Sequence, residues 1–549
     1  MGNKMSNNNK TVTAISKQNT FEFAVVNLIC FLVFAAFGYI AVMSFFQTSV
    51  FDAAQYANEK VIFQIDHIAL NLFFTILFSV FIFKMKKHYD FFAKVNMKYM
   101  EIALAIYAVV IGFIWIFSVT AVPVGNSQNI FEAATGAVNG NYTPINGNGN
   151  FYNSAFYSGK SFFNYYPTEL GFVFICEIIY RIFGTASSMP MQVVNVLCVA
   201  GAYLGIAKIT KLLFKRRSVE FIAILLLAGC FQPILFSTLV YGNMIGMCCA
   251  VWASYFLIKY FQSSKYILLI PCGVLLVLSV IAKHNNLIYL VAFAVMLIIH
   301  TVKEKKWQSV AFALALCIAS LGSVSLIIMS YEARANTKLS GGITHSCNLD
   351  MGLSDSNMAP GWYNGIAMSD YLASNLNSDA ANKTAWSHIN ARLDYLGTHP
   401  NYAVDFFSKK ILSQWNEPSF ESIWVSKVTA HSSQLNFIGE GMYNKSLGQF
   451  FQLYFNLFMQ AVYLLFAIGI YCLFVKKKTN IETVLFPLVL LGAFGYFLLF
   501  EAKSQYIVSY IILLIPTASF AMNTILEGKY TKVKEIVGKL KAIPEKKSA

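Results

Sequence analysis

The chain has 549 residues, 57% of them hydrophobic and 12% charged, with a mean hydropathy of +0.56, whereas an ordinary soluble chain carries about 25% charged residues. A single water-soluble globule is excluded, because most of the apolar residues gather in runs of about 20 between short basic segments, the pattern of a polytopic membrane protein. The net charge of +15, from 41 Lys and Arg against 26 Asp and Glu, lies largely in those short segments and reads as a topology signal, not as nucleic-acid binding.

The first twenty residues are polar and carry several Lys, and the apolar run that follows is too long for the core of a signal peptide, so it is expected to be the first span. Apolar runs then fall near 21–46, 61–83, 101–121, 166–183, 190–213, 219–240, 244–262, 266–282, 285–300, 308–330, 453–475, 482–500 and 504–523. They predict an all-α membrane fold with about 12–14 transmembrane helices. Basic clusters at Lys84 to Lys98, Lys208 to Arg217, Lys303 to Lys306, Lys476 to Lys478 and Lys529 to Lys547 mark the cytoplasmic side. The expected organisation is a tail and extra helix pair over 1–98, a membrane core over 99–330 with an external loop at 122–165, an external helical subdomain over 331–452, C-terminal spans over 453–525, and a basic cytoplasmic tail over 526–549. The N-terminus is expected in the cytoplasm and the chain in the plasma membrane. One step does not close: if 166–183 crosses, Lys215, Arg216 and Arg217 land outside. Either that short run, which carries Glu177 and Arg181, is re-entrant or interfacial, or the positive-inside rule fails there.

Stretch 139–150 has the composition of mobile turns. The subdomain over 331–452 holds Trp362, Trp386, Trp415 and Trp424 and a helix-compatible stretch from about 380 to 413. Most of the ten Cys lie in apolar runs, and no Cys/His spacing suited to a metal occurs. Asp66 and His67 are read as polar residues in the second span, and Glu501 and Lys503 as a pair at the last hinge.

Polar residues where spans meet external loops are the candidates for chemistry, because desolvating them is costly without a use. Three clusters stand out: Pro123 through Asn126 and Glu132 to Ala133-Ala134 and on to Gly140-Asn141-Tyr142; Asn164-Tyr165-Tyr166-Pro167-Thr168-Glu169-Leu170-Gly171; and Lys283-His284-Asn285-Asn286. Tyr165 and Tyr166 also suit interfacial anchors, and Lys283 a simple polar turn.

In this order the clusters resemble membrane glycosyltransferases of the GT-C superfamily, in the Gram-positive branch related to protein O-mannosyltransferases and aminoarabinose transferases. The resemblance runs through Tyr166-Pro167, Gly171, Arg181-Ile182-Phe183-Gly184, Lys283 to Asn286, Met351-Gly352-Leu353, Gly361 to Gly365, Lys410 through Trp415 and Glu417 to Pro418, and Glu501 to Tyr506. It implies a polyprenyl-phosphate-linked sugar donor reached from the membrane lipid, a cell-envelope acceptor (cell-wall polymer, glycolipid or exported protein), and transfer on the external face. It also implies a catalytic Asp where this chain has Asn126. An amide is no general base, so Glu132, Glu169 or another carboxylate takes that role, the correspondence is shifted, or the chain binds without turnover. Tyr165, Tyr166, Lys283, His284, Asn285, Lys410, Trp415 and Glu417 are the candidate substrate contacts. The sequence requires no metal, although a divalent ion is compatible with it. The rival reading is a transport or assembly protein for lipid-linked saccharides: a flippase, polymerase or accessory subunit.

Overall fold

Among the residues described by the structure, a computed structural model covering 20–87, 91, 94–148, 151–152, 156–431, 434–476 and 478–541, ten helices are long and apolar enough to cross a membrane. A helix bent by 41° between Arg217–Gly229 and Gln232–Thr238, and the shorter apolar helix Tyr266–Ala282, bring the candidate crossings to twelve. The helix Ile511–Gly528 is 78% buried and lies in the centre, whereas Ile68–Met85 is 6% buried and lies at the rim. The architecture is that of an all-α polytopic membrane protein.

Contacts between helix ends sort the bundle into two faces. On one, Lys208 pairs with Glu101 at 2.7 Å, Lys211 with Glu220 at 3.4 Å and Lys303 with Glu22 at 3.3 Å, and Arg216 pairs with Glu527. The basic partners, Lys208, Lys211, Arg216 and Lys303, come from the basic segments of the sequence. On the other face, Gln192 donates to the Ala121 carbonyl at 2.8 Å, Asn195 to the Leu239 carbonyl at 2.8 Å, and Lys503 pairs with Glu59 at 2.7 Å. The two long loops lie here.

The helix Leu170–Phe183 begins and ends on this loop face. Glu169, just before it, touches Lys283, and Arg181 near its end donates to the Ala137 carbonyl at 3.2 Å. The next helix, Met189–Phe214, starts from the same face and runs to the basic one. The run 166–183 therefore does not cross, and Lys215 to Arg217 stay on the face of the other basic segments. Its polar residues have partners: Glu177 accepts from Arg181, from Tyr331, and from Arg334 at 2.7 and 2.9 Å.

One further sequence expectation is corrected and two are refined. The run 61–83 is not one span: Val61–Ile65 is a strand paired antiparallel with Gln47–Phe51, and the helix starts at Ile68. Asp66 sits in the connection, outside the span, where it accepts hydrogen bonds from Thr48, Asn456 and Gln460 at 2.7–3.1 Å. The stretch 380–413 is two helices, Ser378–Thr398 and Pro400–Trp415, because Pro400 has no N–H to give and its ring disfavours helical geometry at His399. Within 139–150, a short helix covers Thr143–Asn146, and 149–150 lie outside the described residues.

The helix Thr20–Met43 is embedded in the bundle. Phe37 is fully buried and packs edge-on against Trp415 at 5.2 Å and Phe466 at 5.0 Å.

Candidate active site

A cavity of about 1390 Å³ opens where the membrane bundle meets the loop subdomain. Its position follows from close helix packing. A side chain at Gly171 would place Cβ 2.5 Å from the Ile281 carbonyl oxygen, and one at Gly242 would place it 1.7 Å from that of Ala282. Glycine at both positions lets Leu170–Phe183 and the start of Asn243–Ser263 close on the end of Leu269–Ala282. Residues 169, 241 and 283, each next to one of these contacts or two positions away, consequently converge.

Lys283 occupies the break between Leu269–Ala282 and Leu287–Glu304, with extended backbone. Its Nζ lies 3.2 Å from Glu169 Oε1 and 3.8 Å from the centroid of the Tyr241 ring. Tyr241 donates its hydroxyl to the same Oε1 at 3.0 Å. His284 follows, and its Nδ1 is buried without a hydrogen-bond partner. Asn126, Tyr165, Tyr166 and Asn285 line the same cavity. Asn126 Oδ1 accepts from Tyr157 at 3.4 Å, and the buried Tyr165 donates to the Tyr157 carbonyl at 3.3 Å. Of the sequence-derived candidates, Asn126, Tyr165, Tyr166, Glu169, Lys283, His284 and Asn285 are thus brought together.

Four others are not at this cavity. Glu132 accepts from Gln128 and from the Tyr152 backbone, both at 3.0 Å, and so pins the first loop. Trp415 is core. Glu417 is buried, accepting from the backbone and hydroxyl of Ser419 at 3.0 and 2.6 Å, and borders a separate cavity of about 590 Å³. Lys410 is fully buried, and burial pushes it down to about 7. Its Nζ donates to the carbonyls of Phe500 at 2.8 Å, Leu499 at 3.4 Å and Gly352, joining the loop subdomain to the end of the helix Ile481–Leu499. Lys410→Met should strand these acceptors and cost roughly 2–3 kcal/mol of stability, read as a lower thermal midpoint in detergent with donor affinity unchanged.

Other residues at the cavity were not singled out as ligands from sequence. Glu501 lines it, its carboxyl raised by burial. Its expected partner Lys503 instead sits 2.7 Å from Glu59 and 3.6 Å from Glu421. Burial works against the Lys503 charge, but Glu421 and Glu59 hold its pKa above the ordinary lysine value. Tyr241, His345, Asn348 and Tyr363 also line the cavity, as do Glu59, Lys60 and Lys503. For Glu501 the signal was its place just before the last span. The short polar break at Tyr241-Gly242, between two apolar runs, was the signal for Tyr241.

A family-model match agrees with the motif reading over part of the chain. Residues 169–327, less than a third of the chain, match the family model described as dolichyl-phosphate-mannose-protein mannosyltransferase. No curated protein matches significantly. Among solved structures, the chain is similar to the oligosaccharyltransferase AglB of Archaeoglobus fulgidus, solved with an inhibitory peptide and a dolichol-phosphate, at 12% identity and a TM-score of 0.39, over 80% of this chain and 52% of that one. It is also similar to ArnT of Cupriavidus metallidurans, solved with undecaprenyl phosphate, at 11% identity and a TM-score of 0.32, over 81% of each chain. The chain thus spans about half the length of the archaeal protein. The family match begins at Glu169 and takes in Lys283 to Asn286, and over that stretch the resemblance to GT-C membrane glycosyltransferases is borne out.

Proposed function

We propose that the chain transfers a sugar from a polyprenyl-phosphate donor to a hydroxyl of a cell-envelope acceptor. The observation that carries this reading is the meeting of Lys283, His284 and the Glu169 carboxylate in one cavity at the membrane boundary. All three lie in the stretch matched by a family described as using dolichyl-phosphate-mannose. A polyprenyl-phosphate sugar is a phosphodiester with one negative charge and a long apolar tail. In this reading the tail lies among the helices and the phosphate sits against Lys283 and His284. Its arrival displaces Glu169 from Lys283. The freed carboxylate accepts the proton of the acceptor hydroxyl as that oxygen attacks the anomeric carbon, and the bond from this carbon to the phosphate oxygen breaks. Polyprenyl phosphate leaves with the electron pair, and Lys283 balances the added negative charge. Release of polyprenyl phosphate from a labelled donor by the purified protein is the direct test. Donor binding without release would favour the non-catalytic reading, which draws on the amide of Asn126 at the cavity.

With the basic face read as cytoplasmic, the cavity lies outside the plasma membrane and the N-terminus inside. A cysteine placed at exposed Asn390 should then react with a membrane-impermeant thiol reagent in whole cells, and one at exposed Glu304 only after lysis. The reverse pattern would turn the protein over in the membrane.

A further inference from the structure

We propose that Asp350, Asp370 and His388 form a binding site for a divalent transition-metal ion of the zinc type, which ties three helices of the loop subdomain together. The residues come from separate helices: Asp350 from His345–Leu353, Asp370 from Ile366–Ala373 and His388 from Ser378–Thr398. His388 Nδ1 lies 2.9 Å from Asp350 Oδ2 and 3.3 Å from Asp370 Oδ2, and one ligand atom from each residue lies within 4.8 Å of the other two.

Hydrogen bonding alone leaves this cluster unsatisfied. A ring nitrogen carries at most one proton, and if Nδ1–H donates to Asp350, Asp370 Oδ2 is left without a donor. That oxygen is buried and has no hydrogen-bond partner. Asp350 is itself 1% exposed. Among the described residues, no Lys or Arg forms an ion pair with either carboxylate. Arg392, one turn beyond His388, is turned instead to the Leu353 carbonyl at 2.7 Å and to Asp355 at 3.4 Å.

A cation between the three groups resolves the conflict. Ligands about 2.0–2.1 Å from a tetrahedral ion stand about 3.3 Å from one another, close to the two separations observed. The His388 side chain is 43% exposed, which leaves a path for entry and a position for water. Imidazole among the ligands favours zinc-type ions over magnesium and calcium, which take oxygen donors. The site is separate from the cavity, but His345–Leu353 also carries His345 and Asn348 into the cavity wall. The ion would therefore act as a positioning element behind that wall.

The test uses the full-length protein in detergent, stripped with EDTA and titrated with ZnCl2, with MgCl2 and CaCl2 in parallel. Bound metal per chain and the thermal midpoint are read together. Asp370→Asn and His388→Gln should each bind one zinc fewer than the parent. Zinc should raise the midpoint of the parent but not of the variants, because an ion that binds only the folded state stabilises it by mass action. In EDTA, Asp370→Asn should unfold at or above the parent temperature, since it removes a like charge beside Asp350; in zinc that order should reverse. The proposal is overturned if parent and variants bind equal zinc and shift alike, if magnesium or calcium shift the parent as zinc does, or if Asp370→Asn is equally destabilised with and without zinc.

Discussion

Glu169→Gln is expected to lower turnover by about 10²–10⁴-fold, the usual contribution of a positioned general base, while donor affinity stays the same or rises. The two effects separate because Glu169 holds two roles in the resting site. Lys283 and Tyr241 both donate to Oε1, at 3.2 and 3.0 Å, so Oε2 is the atom left to receive a proton. The same carboxylate competes with an incoming phosphate for Lys283. Glutamine fills the same space and its amide oxygen still accepts from Tyr241, but it takes up no proton and no longer neutralises the lysine. Turnover is read as release of polyprenyl phosphate, and affinity as binding of the intact donor. A parallel fall in both would make Glu169 a structural partner of Lys283. Glu132→Gln is the contrasting variant, since Glu132 is held by Gln128 and the Tyr152 backbone; it should leave turnover near the parent value. If Asn126→Asp alone gains turnover, the catalytic role returns to that position, and the natural chain binds its donor without reacting.

Membrane class and most crossings were legible in the sequence because bilayer thickness sets the length of an apolar run and basic residues mark one side. The parity conflict at 166–183 was legible too, as a conflict. Its resolution needed contacts remote in sequence, from Arg181 to Ala137 and from Gln192 to Ala121, which no local pattern contains. The hairpin at 47–65 was hidden because Val61–Ile65 is as apolar as the span that follows. At the site, Lys283 and Glu169 were readable as polar residues flanking apolar runs, although they are 114 positions apart. Lys410 and Glu417 looked equally suited by type and place. What separates them from the cavity residues is three-dimensional: carbonyls converge on Lys410, and Ser419 and the Glu421 backbone satisfy Glu417. Sequence reveals a charge near a membrane boundary, but only the fold reveals whether protein groups have already satisfied it.

Lys283→Ala should weaken donor binding by roughly 1–3 kcal/mol, the range for losing a charge-assisted hydrogen bond, or about 5–150-fold in Kd. Lys283 is 9% exposed, and its ammonium lies between the Tyr241 ring and Glu169, so little solvent screens it from a phosphate entering the cavity. Removing it also leaves the Glu169 charge unopposed on the path the phosphate must take, which adds repulsion to the lost attraction. Glu169→Gln in the Lys283→Ala background should therefore recover part of the affinity without recovering turnover. A donor affinity that is unchanged in Lys283→Ala, with the thermal midpoint also unchanged, would reduce Lys283 to a helix-break residue. A double variant no better than Lys283→Ala would show that Glu169 does not compete with the phosphate, and the displacement step would fall with it.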